Sequence, residues 1–247
     1  MGGKLRRWVL TGALILALLG GVATVGWAQG VQSFSVKLSS PANTGPFLGG
    51  GGPLFVGALL DLSGLEHSVP GVHFRPDLGN NGVFLLRGGG GFGGNATLRM
   101  GGLGVGASWT TPVENSSEFD KARFSLDYGG VTLERLIGTQ RQLAAAIGVL
   151  LGRGSFELQL FRSVSGDFAQ VTAHPNSVQL KRSFLFAQPY LSAEYKLLDF
   201  AGLRVTLGYW FSVSFSGWQL SGGQSVVGGP LTSLGMPVIQ IMLVFGG

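Results

Sequence analysis

Every second residue from Leu203 to Phe215 is apolar. Leu203, Val205, Leu207, Tyr209, Phe211, Val213 and Phe215 share one side of an extended chain. Arg204, Thr206, Gly208, Trp210, Ser212 and Ser214 share the other. Side chains of a strand alternate between faces, so this pattern predicts a strand with one greasy face. At about 3.4 Å per residue it outruns the usual globular strand and is long enough to cross a bilayer when tilted.

The preceding segment, 183–197, predicts the partner strand. Leu185, Ala187, Pro189, Leu191, Ala193, Tyr195 and Leu197 alternate with Phe184, Phe186, Gln188, Tyr190, Ser192, Glu194 and Lys196. The short link 198–202 contains Gly202 and makes the two a hairpin. Pro189 lacks an N–H and predicts an edge or a bulge. Further strands are expected at 55–69, 83–93, 96–109, 122–137, 143–162 and 238–245, with a weaker one at 31–38. In 122–137, Phe124, Leu126 and Tyr128 oppose Arg123, Ser125 and Asp127. The stretch 143–162 reads either as one strand or as two broken near Gly152-Arg153-Gly154, and Ala144-Ala145-Ala146 gives a helix some claim there. Between strands lie Gly-, Pro- and Asn-rich connections at 41–53, 110–120, 163–176 and 216–237. The last is the longest and the natural place for any specificity.

The first residues read as an export signal. Lys4, Arg6 and Arg7 precede an uncharged apolar run, and Gly26-Trp27-Ala28 supplies small residues before a cleavage point. Cleavage is expected between Ala28 and Gln29. The competing reading is an uncleaved anchor, since the run from Trp8 to Trp27 is about as long as the ~20 residues that span a bilayer. The expected organisation is therefore a signal at 1–28, a Gly/Pro-rich segment at 29–54 and a β-barrel domain at 55–247.

Charge is scarce, 12% of the chain against about 25% in ordinary soluble domains. With three of the 17 basic residues in the leader, the mature part carries 14 against 12 acidic, so the basic balance implies no nucleic-acid partner. Beyond the leader no apolar run is long enough for a spanning helix. If the mature chain sits in a bilayer, only a closed barrel satisfies its backbone. The 44 glycines suit tightly bent strands. Trp109, Phe119, Tyr128, Tyr195, Phe200, Tyr209 and Trp210 lie near predicted strand ends, where an interfacial girdle would need them.

The segments PYLSAEYKL at 189–197, LRVTLGYWF at 203–211 and the closing strand 238–245 make the chain resemble outer-membrane β-barrel proteins of diderm bacteria. Such barrels usually end on an aromatic residue, whereas Phe245 is followed here by Gly246-Gly247. The resemblance implies an all-β, antiparallel up-and-down barrel of about 8–12 strands. It also implies membrane lipid and the export and barrel-assembly machinery as partners. The function expected is a structural wall protein or small passive pore of the outer membrane. Charges on strands should then face the lumen or lie at the rims, because Arg or Lys facing lipid costs about 2–4 kcal/mol at mid-bilayer. Arg123, Asp127, Glu194 and Arg204 are the expected lumen-lining residues among the strand charges, which also include Arg99, Glu134, Arg135, Glu157, Arg162 and Lys196. A fixed charge network that holds the barrel together competes with a selective water path.

Catalytic chemistry has little to work with. The chain has no cysteine, which removes disulfides, thiolate metal sites and thiol nucleophiles. Gly-x-Gly-x-x-Gly matches between Gly88 and Gly106 arise from composition, and no Lys-Ser or Lys-Thr follows to make a phosphate loop. His67, His73 and His174 show no metal-ligand spacing and read as loop histidines. No catalytic residue, cofactor or metal is expected, and no enzyme activity. The alternative function is a soluble periplasmic or extracellular β-rich module that binds a ligand through its loops, 216–237 above all.

Overall fold

The structure, a computed structural model, describes residues 46–78, 82–114, 116, 118–140, 142–162, 177–231 and 233–246. All belong to the compact unit Ser40–Gly247. The leader, its Ala28/Gln29 cleavage point, the weak strand at 31–38 and His174 lie outside the described residues.

Among the described residues ten strands form one sheet: β1 Gly49–Leu59, β2 Val83–Gly94, β3 Leu98–Pro112, β4 Lys121–Gln140, β5 Leu143–Phe161, β6 Ser177–Leu198, β7 Ala201–Val213, β8 Trp218–Leu220, β9 Ser225–Val226 and β10 Ser233–Gly246. Strands β1 to β7 pair in chain order, β7 pairs with β10, and β10 pairs with β1. Eight antiparallel strands thus close a ring, and β8 and β9 form a small flap on the edge of β6. The expected up-and-down barrel is present, with the smallest strand number of the expected range. Closure gives each of the eight strands a partner on both sides over at least part of its length.

Connections alternate in length around the ring. At one end β2–β3, β4–β5 and β6–β7 are joined by two or three residues each. At the other end run the long links 60–82, 113–120, 162–176 and 214–232. The β2–β3 turn is set by Asn95, whose Oδ1 accepts the N–H groups of Thr97 and Leu98, both at 2.9 Å.

Several boundaries differ from the sequence expectation. The four glycines 49–52, expected in a connection, begin β1, because their lack of side chains lets β2 and β10 pair closely on both sides. The strand expected over 55–69 stops at Leu59, and a short helix, α1 Ser63–Ser68, follows. Segment 143–161 is one unbroken strand, which removes both the helix and the two-strand reading. Part of the longest loop is strand: β8, β9 and the start of β10.

Polarity inverts along the barrel axis. Towards the short turns the outer face carries Leu133, Ile147, Leu151, Leu191, Leu207 and Leu243, each more than 40% exposed. The inner face there holds Arg99, Glu134, Glu194 and Arg204 among buried apolar residues such as Leu54, Leu150 and Met242. Towards the long links, β4, β5 and β6 run further and the faces swap. Arg123, Ser125, Asp127, Glu157 and Lys181 lie outside, while Phe124, Leu126, Phe156, Leu158 and Phe184 are buried inside. The swap follows from a change of phase at Gly129-Gly130, where the apolar positions of β4 pass from even to odd numbers.

The glycines of β5 make room for rings. Gly148, Gly152 and Gly154 pair across the ladder with Tyr190, Phe186 and Phe184 of β6. A Cβ on Gly148 would lie 2.6 Å from Tyr190 Cζ, and one on Gly152 would lie 2.8 Å from Phe186 Cε1. Each ring fills the space its partner glycine leaves, so a narrow barrel can hold aromatics inside. Gly152→Val should therefore destabilise the barrel by about 1–3 kcal/mol through overpacking. Backbone atoms of Gly129 and Gly130 stand closer still to a Cβ at Gly152, so a urea midpoint unchanged from wild type would show that the β4–β5 ladder can shift to admit the side chain.

Candidate functional site

The lower half of the interior, near the short turns, holds a charge cluster built from four strands. Arg99 of β3, Glu134 of β4, Glu194 of β6 and Arg204 of β7 all point inward and are almost wholly buried. Their inward placement is fixed by parity, since each sits between outward residues such as Met100, Leu133, Ala193 and Leu203.

Glu134 is the centre. Its Oε1 lies 2.7 Å from Arg99 Nε and accepts Arg204 Nη1 at 3.1 Å. Its Oε2 accepts Arg204 Nη2 and the Tyr190 hydroxyl, the latter at 3.0 Å. Arg99 Nη1 reaches Glu194 Oε2 at 3.2 Å, and Arg204 Nη2 also donates to Ser192 Oγ at 3.2 Å. The Phe92 ring supports both guanidinium groups, 4.4 Å from Arg99 and 5.1 Å from Arg204. Two cations face two anions, so the cluster is internally balanced. In a confined interior the attraction is strong, and it offsets the cost of removing the charges from water only while all partners are present.

Above the cluster Gln240 Nε2 donates to Gln188 Oε1 at 3.3 Å. Next comes an aromatic core. Trp210 contacts Phe184 edge-on at 5.2 Å, Phe156 meets Phe184 at 4.5 Å, and Trp109 meets Phe84 edge-on at 4.9 Å. These rings pack together in the upper bore.

Both mouths are covered. At the short-turn end the buried Phe47 gives its carbonyl to Arg99 Nη1 at 3.1 Å and its ring to Lys196 Nζ at 5.2 Å. At the other end the link after β1 folds over the opening, with Leu65 of α1, Val72 and Phe74 buried in the core. It is tied down by Asp77, whose Oδ2 accepts Trp109 Nε1 and the Leu85 N–H, both at 2.7 Å. Thr111 Oγ1 donates to the His73 carbonyl at 2.8 Å.

The four expected lumen residues divide evenly. Glu194 and Arg204 lie inside and are joined through Arg99 and Glu134. Arg123 and Asp127 stand on the outer face, which corrects the expectation. Alternation sets Phe124, Leu126 and Tyr128 opposite Arg123, Ser125 and Asp127, and at this end the apolar set forms the packed interior, so its neighbours stand outside. The aromatic girdle is corrected as well, since Trp109 and Tyr128 belong to the packed upper core and Trp210 shares the inward face of β7 with Arg204. Trp109, Tyr128 and Trp210 are buried inside, whereas Tyr195, Phe200 and Tyr209 are exposed on the outside. Arg99 and Glu134 were legible only as strand charges. Their signal is that Glu134 shares parity with Phe124 and Tyr128, across the change of phase at Gly129-Gly130.

His67 Nδ1 meets the Ser63 carbonyl at 2.7 Å, and His73 Nδ1 lies 3.6 Å from Glu66 Oε2. Among the described residues no three histidine or carboxylate side chains gather as a metal site, and no helix is long and apolar enough to cross a membrane.

No family model matches the chain, and neither does any curated protein. Among solved structures, the chain is similar to the crystal structure of Ail, the attachment invasion locus protein of Yersinia pestis. The two are 14% identical with a TM-score of 0.35, over 80% of this chain and 95% of that one.

Proposed function

We propose that this chain is an exported outer-membrane β-barrel protein that serves as a closed wall and scaffold element rather than a passive pore. The observation that carries the membrane part is the outer apolar band. Soluble monomers rarely expose apolar patches above a few hundred Å², yet here Leu, Ile, Val and Phe cover the outside towards the short turns on strand after strand, while Arg99, Glu134, Glu194 and Arg204 are buried within. A bilayer accounts for both at once, since lipid covers the band and the closed ladder satisfies the backbone. Short turns at one end and long links at the other are the usual arrangement of such barrels, the long links facing the exterior. The basic, apolar leader supports the export step.

The aromatic core, the charge cluster and the covered mouths favour a plugged interior over a conducting one. The folded chain in a planar bilayer is expected to give no steady single-channel conductance at moderate voltage. Stable, voltage-independent channels would instead favour the pore. Fractionation separates the membrane reading from a soluble loop-binding module. The chain should stay with membranes through alkaline and urea washes and should migrate differently on gels before and after boiling. Release into the wash would overturn the assignment.

A further inference from the structure

We infer that the outer wall carries a binding groove for the anionic phosphate headgroup of a membrane lipid, at the level where the apolar band gives way to the polar blade. The inference rests on the membrane reading above. The groove encloses about 760 Å³ and lies on the outside of β4, β5 and β6 beneath residues 215–216.

Its position follows from three successive rows of ladder partners. Asp127, Ser155 and Ser183 form a polar row; Gly129, Arg153 and Leu185 form the next; Val131, Leu151 and Ala187 form an apolar one. The groove spans the first two rows, so its upper wall is hydroxylic and its lower edge opens onto hydrocarbon. Gly129, with no side chain, gives the depth, and the exposed Phe215 and Leu185 make apolar flanks.

Two cations line it, Arg153 and Lys181, and both are exposed. Among the described residues neither forms an ion pair. Asp127 also lines the groove, where its Oδ2 accepts Ser155 Oγ at 2.8 Å, and Glu157, across the ladder from Lys181, accepts Gln179 Nε2 at 2.7 Å as well as Gln159 Nε2. A basic side chain at the boundary of a lipid surface attracts anionic headgroups. Here guanidinium and ammonium groups stand above apolar flanks, which suits an amphiphile with a phosphate at one end and acyl chains at the other. A free anion would make no use of Phe215 or Leu185.

The test uses the full chain in phosphatidylcholine vesicles carrying a trace of spin-labelled phosphatidic acid or spin-labelled phosphatidylcholine. The motionally restricted fraction gives the relative association of each lipid. Wild type should prefer phosphatidic acid on the order of tenfold, two basic residues each contributing near the surface. The double variant Arg153→Ala/Lys181→Ala should lose most of that preference, while Arg123→Ala, outside the groove, should keep it. Equal association of both lipids with wild type, or a preference undiminished in the double variant, would overturn the site. Displacement of the labelled lipid by millimolar inorganic phosphate would reassign the groove to free anions and overturn the lipid proposal. Failure of the chain to insert, read as complete protease digestion with no lipid-protected core, would instead overturn the membrane reading itself.

Discussion

Leu207→Arg should cost the barrel about 2–4 kcal/mol and largely block its assembly into vesicles, because the side chain would enter hydrocarbon at mid-wall. Leu207 is 59% exposed, and its row around the outside continues through Ile239, Leu191 and Ile147. All four are apolar, and beyond Ile147 the row reaches the exposed Arg135 of β4. The soluble reading predicts the opposite sign. If water covered this face, an arginine there would be neutral or would improve solubility. Ser125→Arg provides the matched control, since Ser125 sits among Ser108, Glu157 and Lys181 on the polar end of the wall. It should change stability by about 0.5 kcal/mol or less. Urea titration of the vesicle-refolded chains measures both variants. A Leu207→Arg chain that folds as well as wild type would remove the support for lipid on that face.

Glu134→Ala should be the other severe change, destabilising the barrel by about 3–5 kcal/mol, as expected when one partner of a buried ion pair is removed. It leaves Arg99 and Arg204, 1% and 6% exposed, inside the barrel with Glu194 as the remaining carboxylate of the cluster. Pairing the change with Arg204→Leu restores the balance of one cation to one anion and should recover most of the loss. The four stabilities form a double-mutant cycle, and residues sharing one network should deviate strongly from additivity. Additive losses would show that the arginines find water in the bore, and the plugged interior would have to be abandoned. Asp127→Ala and Arg123→Ala, on the outer face, should each stay within about 0.5 kcal/mol of wild type.

Much of this arrangement is legible in the primary structure. The odd-even alternation of 183–197 and 203–215 yields the central hairpin, and the face that meets the outside there was read correctly at Leu185, Leu191, Leu207 and Phe211. At the far end of β4 to β6 the same rule misassigned Arg123 and Asp127. Alternation distinguishes an apolar face from a polar one but does not say which of them looks inward. In the lower barrel the apolar face looks outward, and in the upper barrel it looks inward to an aromatic core. The break of phase at Gly129-Gly130 is visible in the sequence, yet two small residues in a glycine-rich chain do not announce a boundary by themselves.

Residue order alone settled the period of the strands, the absence of thiol chemistry and the shortage of charge, because each depends on local geometry or on composition. Ring closure decided the rest. Once β10 pairs with β1, every side chain must point either into a narrow bore or away from it, and only that constraint brings Arg99, Glu134, Glu194 and Arg204 together across up to 105 positions of chain. Contacts between residues so distant in sequence carry no periodic signal, so their pairing exists only in the folded barrel.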